Sequence, residues 1–176
     1  MTCIIGLEQN GKVYVGADSS AIIGSWCIRV TSIPKIFRNN EFIIGYTGSF
    51  RMGQLLQFMK IPPCNKPDEN YMINKFIETI RSEFKTKGYS KVDNNEETGG
   101  SFLVGVKDCL YQISSDFQVQ RYNDGIASIG SGEEYAYGAM RALKDIKPEE
   151  RIKKSLEIVA YYSPSVIEPF TILRTK

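Results

Sequence analysis

The chain contains no histidine. Ser-His-Asp and Cys-His hydrolysis both pass a proton through an imidazole, so neither is open to it. Any general base must be a carboxylate, a lysine, a tyrosine or the terminal amine. Cysteine is scarce: Cys3, Cys27, Cys64 and Cys109 make no C-x-x-C pair. Without such a pair, and without histidine, the sequence argues against a structural zinc site, and no metal or cofactor is expected. No apolar run approaches the roughly 20 residues of a membrane span. The N-terminus lacks the basic segment and apolar stretch of a secretory signal. These absences predict a cytoplasmic protein with reduced thiols and no membrane partner. A large charge of either sign is missing too. Lys and Arg number 22 against 20 Asp and Glu, a formal +2 that gives no reason to expect nucleic acid.

What is present suits one core. A chain of 176 residues, 42% of them apolar, predicts a single domain over residues 1–176. Its opening is the most informative stretch. Met1 is followed by Thr2, then by the apolar run Cys3-Ile4-Ile5-Gly6-Leu7 and the turn signal Gln9-Asn10-Gly11. A second strand, Val13 to Ala17, ends at Asp18-Ser19-Ser20. Such a hairpin brings Asp18 beside the start of the chain. Methionine is normally removed ahead of a residue as small as threonine, which would leave an α-amine and a hydroxyl on Thr2. A free amine titrates at roughly 7.7 to 8.0 and can act as base for its own hydroxyl. The same residues also read as an ordinary edge hairpin.

Further along, Ala21 to Trp26 reads as a glycine-containing loop, followed by a β-like piece from Cys27 to Val30. Ser32 to Arg38 reads as a short strand entered through Pro34, and Phe42 to Thr47 as a buried strand. A helix starts after Gly48-Ser49 and stops before Pro62-Pro63. A strand-glycine-helix junction leaves backbone N–H groups pointing outward, so Gly48 is either an oxyanion donor or a routine turn glycine. Asn65 to Asn70 reads as a loop, and Ile73, Phe76, Ile77, Ile80 and Phe84 as one face of a helix. The polar stretch from Gly88 to Gly100 reads as a mobile surface loop. Strands follow over Ser101–Val106, Leu110–Ser114 and Val119–Tyr122, with Asp108 and Asp116 in turns. Ala127-Ser128-Ile129 leads through Gly130-Ser131-Gly132 into a helix. A dinucleotide site does not fit there, because the third glycine is missing and Glu133-Glu134 stand where a pyrophosphate needs positive potential. Pro148 opens the last helix, and Phe170 to Leu173 forms the last strand. Paired strands alternating with paired helices predict an α+β fold, a four-layer αββα sandwich of two antiparallel sheets flanked by helices.

Five features keep a distinctive order: Thr2; Asp18 in Gly16-Ala17-Asp18-Ser19; Lys35; Gly48 in Gly45-Tyr46-Thr47-Gly48-Ser49; and Gly130-Ser131-Gly132 with Tyr135-Ala136-Tyr137-Gly138. In this order they resemble a proteasome β-type subunit, one of the N-terminal-nucleophile hydrolases, and the bacterial ATP-dependent two-component relative of that subunit. The likeness is densest over residues 2–56 and 126–143. It implies a threonine peptidase in which Thr2 attacks and Lys35 stands near the hydroxyl as a cation. Asp18 would hold Lys35, Gly48 would stabilise the oxyanion, and Ser131 would bond near the amine. It also implies that Ala21, Ile33 and Tyr46 line the pocket for the side chain before the cut, which would favour apolar residues. The implied setting is a homo-oligomeric ring acting on peptides or unfolded proteins. With no P-loop in this chain, a separate ATPase would serve as unfoldase.

The sequence departs from that family late in the chain. An aspartate with a serine three residues on is expected there, and the best match falls at Tyr161 and Pro164. Either Ser163 or Ser165 substitutes, or the network is incomplete. Two alternatives therefore stand beside the peptidase: a non-catalytic scaffold subunit, and an amidase acting on a small molecule, because fold does not determine substrate.

Overall fold

The computed structural model describes residues 2–23 and 27–176. Strands β1 (Ile4–Gln9) and β2 (Lys12–Ala17) form the opening hairpin. Asn10 and Gly11 take φ of 56° and 69°, the left-handed pair that a two-residue type I′ turn requires. The stretch expected as a loop from Ala21 begins instead as a strand: β3 (Ser20–Ile23) pairs with β4 (Cys27–Val30). Ile22 and Ile23 are β-branched and favour extended backbone there. Residues 24–26, the rest of that expected loop, lie outside the described residues.

Strands β5 (Ile36–Asn39) and β6 (Phe42–Tyr46) pair next, and β6 is buried throughout. Helix α1 (Phe50–Phe58) starts at Ser49, whose hydroxyl accepts from the Met52 N–H. A longer helical stretch follows, made of α2 (Glu69–Tyr71), a π-helical segment (Met72–Ile77) and α3 (Glu78–Thr86). Asp68 caps it, so the helix enters the segment expected as a loop. The wider π turn also rotates the apolar stripe: Met72 is buried while Ile73 is 49% exposed. The stretch expected as a surface loop carries a hairpin, β7 (Lys91–Asp93) and β8 (Glu96–Thr98), turned at Asn94 and Asn95 with positive φ. Its residues are mostly polar, so no apolar alternation marked it.

The remaining elements are β9 (Phe102–Val106), β10 (Cys109–Ile113), β11 (Val119–Gln120) and β12 (Ile126–Ile129), then α4 (Glu133–Ala142), α5 (Pro148–Tyr162) and β13 (Thr171–Arg174). One sheet has the order β12-β1-β2-β13, the other β11-β10-β9-β6-β5. All their pairings are antiparallel.

Strand alternation sorts the apolar residues into layers. Ile4, Val13 and Val15 meet Ile43, Leu103 and Leu110 between the sheets. Cys3, Ile5 and Leu7 face the other way, onto Met140, Ile152, Leu156 and Val159 of α4 and α5. The outer face of the second sheet packs Phe42, Ile44 and Val104 against Met52, Leu56, Phe76 and Ile80. This is the four-layer αββα order expected from the sequence. The sheets close tightly at Gly45, where a Cβ would stand 2.7 Å from Ile4 Cγ2.

Candidate active site

Four chain segments converge at one end of the two sheets. The first hairpin pairs Ile4 with Ala17, which sets Cys3 opposite Asp18. The Asp18 N–H donates to the Cys3 carbonyl at 3.4 Å, and the Cys3 N–H donates to Asp18 Oδ1 at 3.0 Å. Thr2 lies one residue further out and is 4% exposed. From the second sheet, Lys35 immediately precedes β5, and its carbonyl accepts from the Tyr46 N–H at 3.0 Å. Gly48 follows two residues later with φ of 86°, at the turn into α1. The turn after β12 supplies Gly130 and Ser131.

Lys35 Nζ donates to Asp18 Oδ2 at 2.9 Å and to Ser20 Oγ at 3.0 Å. The ion pair is buried, with side chains 3% and 0% exposed. Burial pushes the Lys35 ammonium below the ordinary lysine range, and Asp18 opposes that shift. Asp18 Oδ2 also accepts from the Ser20 N–H at 2.9 Å and the Ser20 hydroxyl at 2.6 Å. The Thr2 nitrogen donates to Ser131 Oγ at 3.3 Å, and the Gly132 N–H donates to the Thr2 carbonyl at 3.4 Å. Gly130 makes that contact possible. Its φ is 100°, and a Cβ there would stand 2.2 Å from the Thr2 carbonyl oxygen.

Thr2, Ser20, Ile22, Lys35, Tyr46, Gly48 and Phe50 line one cavity of about 90 Å³. A wider cleft of about 410 Å³ lies away from these residues, along Ile77, Arg81, Glu97 and Phe117. It offers no hydroxyl or thiol nucleophile, so chemistry and not size marks the site. Cys3 is no rival to Thr2, because burial pushes its thiol up to about 12 and keeps it protonated. Tyr46 is likewise pushed up to about 12 by burial, which excludes it as a base near neutral pH.

The structure thus brings together Thr2, Lys35, Tyr46 and Gly48 around one cavity, with Asp18 behind Lys35 and Ser131 on the Thr2 nitrogen. Ala21 and Ile33 do not line this cavity. Ala21 pairs with Arg29 across β3 and β4, and Ile33 is 37% exposed. Ile22 and Phe50 supply the apolar lining in their place. Tyr161 is 83% exposed, whereas Ser163 and Ser165 are buried and share a hydrogen bond of 3.0 Å. Ser20 was missed. Its signal was spacing: residues two apart on extended chain share a face, so Ser20 follows Asp18 toward the lysine.

No protein-family model matches the chain. The ATP-dependent protease subunit HslV of Campylobacter hominis is 27% identical over 184 aligned positions, covering 99% of this chain and 98% of that protein. Among solved structures, Thiobacillus denitrificans BPH in complex with epoxomicin superposes with a TM-score of 0.80 at 16% identity, covering 99% and 98% of the two chains. Eukaryotic HslV from Trypanosoma brucei gives a TM-score of 0.69 at 21% identity, with 98% of each chain covered. The resemblance to the proteasome β-type family stands. Sequence relatives carry it along the whole chain, and the structural neighbours share the fold. Of the residues that line the cavity, the sequence motifs single out Thr2, Lys35, Tyr46 and Gly48, and the structure adds Ser20, Ile22 and Phe50. Among the described residues, no helix is long and apolar enough to cross a membrane.

Proposed function

We propose that this chain is a threonine-type endopeptidase whose nucleophile is Thr2, exposed by removal of Met1. One observation carries the reading: Thr2 shares its cavity with a buried lysine already paired to a carboxylate. The Thr2 amine, directly or through a water, accepts the hydroxyl proton as Oγ attacks the peptide carbonyl. The Lys35 cation favours the developing alkoxide and keeps the neighbouring amine neutral. The Gly48 N–H is taken up by no hydrogen bond among the described residues and is free to meet the oxyanion. Loss of such a donor costs other enzymes roughly 2.7–4 kcal/mol. Collapse breaks the C–N bond, the leaving amine takes the proton, and an ester to Thr2 remains. Water then attacks the ester and gives a proton to the Thr2 amine, which passes it to Thr2 Oγ as the ester C–O bond breaks and the acid leaves. Ser131 holds the nitrogen in place.

The substrates are peptides or unfolded proteins, and Ile22, Tyr46 and Phe50 favour an apolar side chain before the cut. The reading includes a ring of identical subunits, a separate ATPase that feeds it, and a cytoplasmic setting. Support comes from HslV relatives that are named as subunits of ATP-dependent proteases. Among the described residues, Cys3, Cys64 and Cys109 are buried free thiols, which suits a reducing compartment. Intact mass before and after treatment with a threonine-directed epoxyketone tests the reading. The expected result is a chain lacking Met1 that gains one adduct on Thr2. A processed chain that takes no adduct would overturn it. A second reading, the non-catalytic scaffold, draws on Tyr161, which points to solvent where the family expects an acid.

A further inference from the structure

Ser20 makes more contacts in the buried ion pair than its place in a strand requires. Its main-chain N–H already closes the turn onto Asp18 Oδ2 at 2.9 Å. Its hydroxyl adds a second donor to the same oxygen at 2.6 Å and, with that proton committed, turns a lone pair to Lys35 Nζ at 3.0 Å. Ser20 is 1% exposed and lines the Thr2 cavity. An ammonium has three donors and no acceptor. Asp18 takes one of them and Ser20 takes another, which leaves a third donor on a lysine that lines the cavity shared with Thr2.

We propose that Ser20 is a positioning residue of this site: its hydroxyl closes a three-membered Asp18–Ser20–Lys35 ring that aims the remaining ammonium N–H at the Thr2 hydroxyl. The proposal rests on the peptidase reading for its catalytic consequence, but the ring itself does not. Without the hydroxyl, Lys35 keeps one partner, gains freedom to rotate, and holds its proton less firmly in a buried setting. The groups around Lys35 are Asp18 just after β2, the Cys3 thiol beside Thr2, and Tyr46 on β6 and Thr2, which line the same cavity. Cys3 and Tyr46 stay neutral through the working range, so burial, which lowers the Lys35 ammonium, and Asp18, which opposes that shift, set its charge.

The test compares Ser20→Ala and Ser20→Thr with the unaltered full-length chain. The Lys35 side-chain resonance is followed against pH by carbon-13 NMR and assigned with Lys35→Arg. Ser20→Ala is expected to lower the Lys35 midpoint by about one pH unit, the loss of one hydrogen bond to a charge. On a fluorogenic peptide it is expected to lower kcat about tenfold, leave KM within about twofold, and move the alkaline limb down with the lysine. Ser20→Thr keeps the hydroxyl and is expected to restore both. If Ser20→Ala fails to fold, Ser20→Cys keeps the size, removes the hydroxyl and carries the same expectation. An unchanged Lys35 midpoint in the hydroxyl-free variant overturns the proposal. So does an equal loss of activity in Ser20→Thr. If the unaltered chain is inert toward peptide and epoxyketone, the peptidase reading falls, and the Lys35 titration still decides for or against the ring.

Discussion

At Thr2 the hydroxyl and the main-chain nitrogen belong to one reaction, and substitutions separate them. Thr2→Ala removes the nucleophile and leaves the Ser131 contact to the nitrogen, so hydrolysis and epoxyketone labelling are expected to vanish while the melting temperature holds. Thr2→Ser keeps the hydroxyl and is expected to remain labelled. The pH profile follows from two charges. The amine must be neutral, which sets an acid limb at or below its ordinary titration at roughly 7.7–8.0, since the lysine cation opposes its protonation. Lys35 must stay charged, and burial depresses it below the ordinary lysine range, so the alkaline limb falls below that range. An initial-rate profile from about pH 6 to 11 checks both limbs. An alkaline limb at or above the ordinary lysine range would remove Lys35 from the mechanism. Thr2, Asp18, Lys35, Gly48 and Ser131 were legible as a spacing pattern because each sits at the end of a regular element. Ser20 was hidden among consecutive polar residues, where only side-chain direction separates it from Ser19. Ala21 stays off the cavity because it alternates with Ser20 and Ile22 along β3, and Ile33 sits exposed between β4 and β5.

Helix α1 carries the turn with Gly48, and both its ends are held by side chains. Ser49 caps the start, and Ser49→Ala is expected to cost about 1 kcal/mol in denaturant unfolding. At the other end, the buried Asn39 amide donates to the Leu56 and Met59 carbonyls, each at 2.9 Å. Asn39→Ala leaves both acceptors short of a partner and is expected to cost roughly 1–3 kcal/mol, read by urea melts at constant m. The start of α1 could be read from Gly48-Ser49, but the tie from Asn39 could not, because it crosses from a hairpin turn to a helix end. The same limit applies to the π-helical segment. Its apolar stripe has the ordinary helical spacing on paper, and only tertiary packing decides that Met72 and not Ile73 turns inward.

The two sheets bury an apolar layer between them that positions the site from both sides. Ile4 is fully buried in that layer, two residues from Thr2. Ile4→Ala is expected to lower stability by about 2–5 kcal/mol, and calorimetry of the full chain would measure it. The layer order was legible because apolar residues alternate cleanly along β1 and β2. The β7–β8 hairpin was not, because polar residues on both faces leave no period to detect. β1 is hydrogen-bonded to a neighbour on each edge, so its register cannot slide without breaking two ladders at once. A slip by one place would exchange Ile4 with Ile5 across the sheet and swing the residue ahead of them to the opposite side. The hairpin therefore works as a ruler that counts amino acids back from the Asn10-Gly11 corner. A single amino acid inserted within that count would leave the reactive group facing away from its lysine.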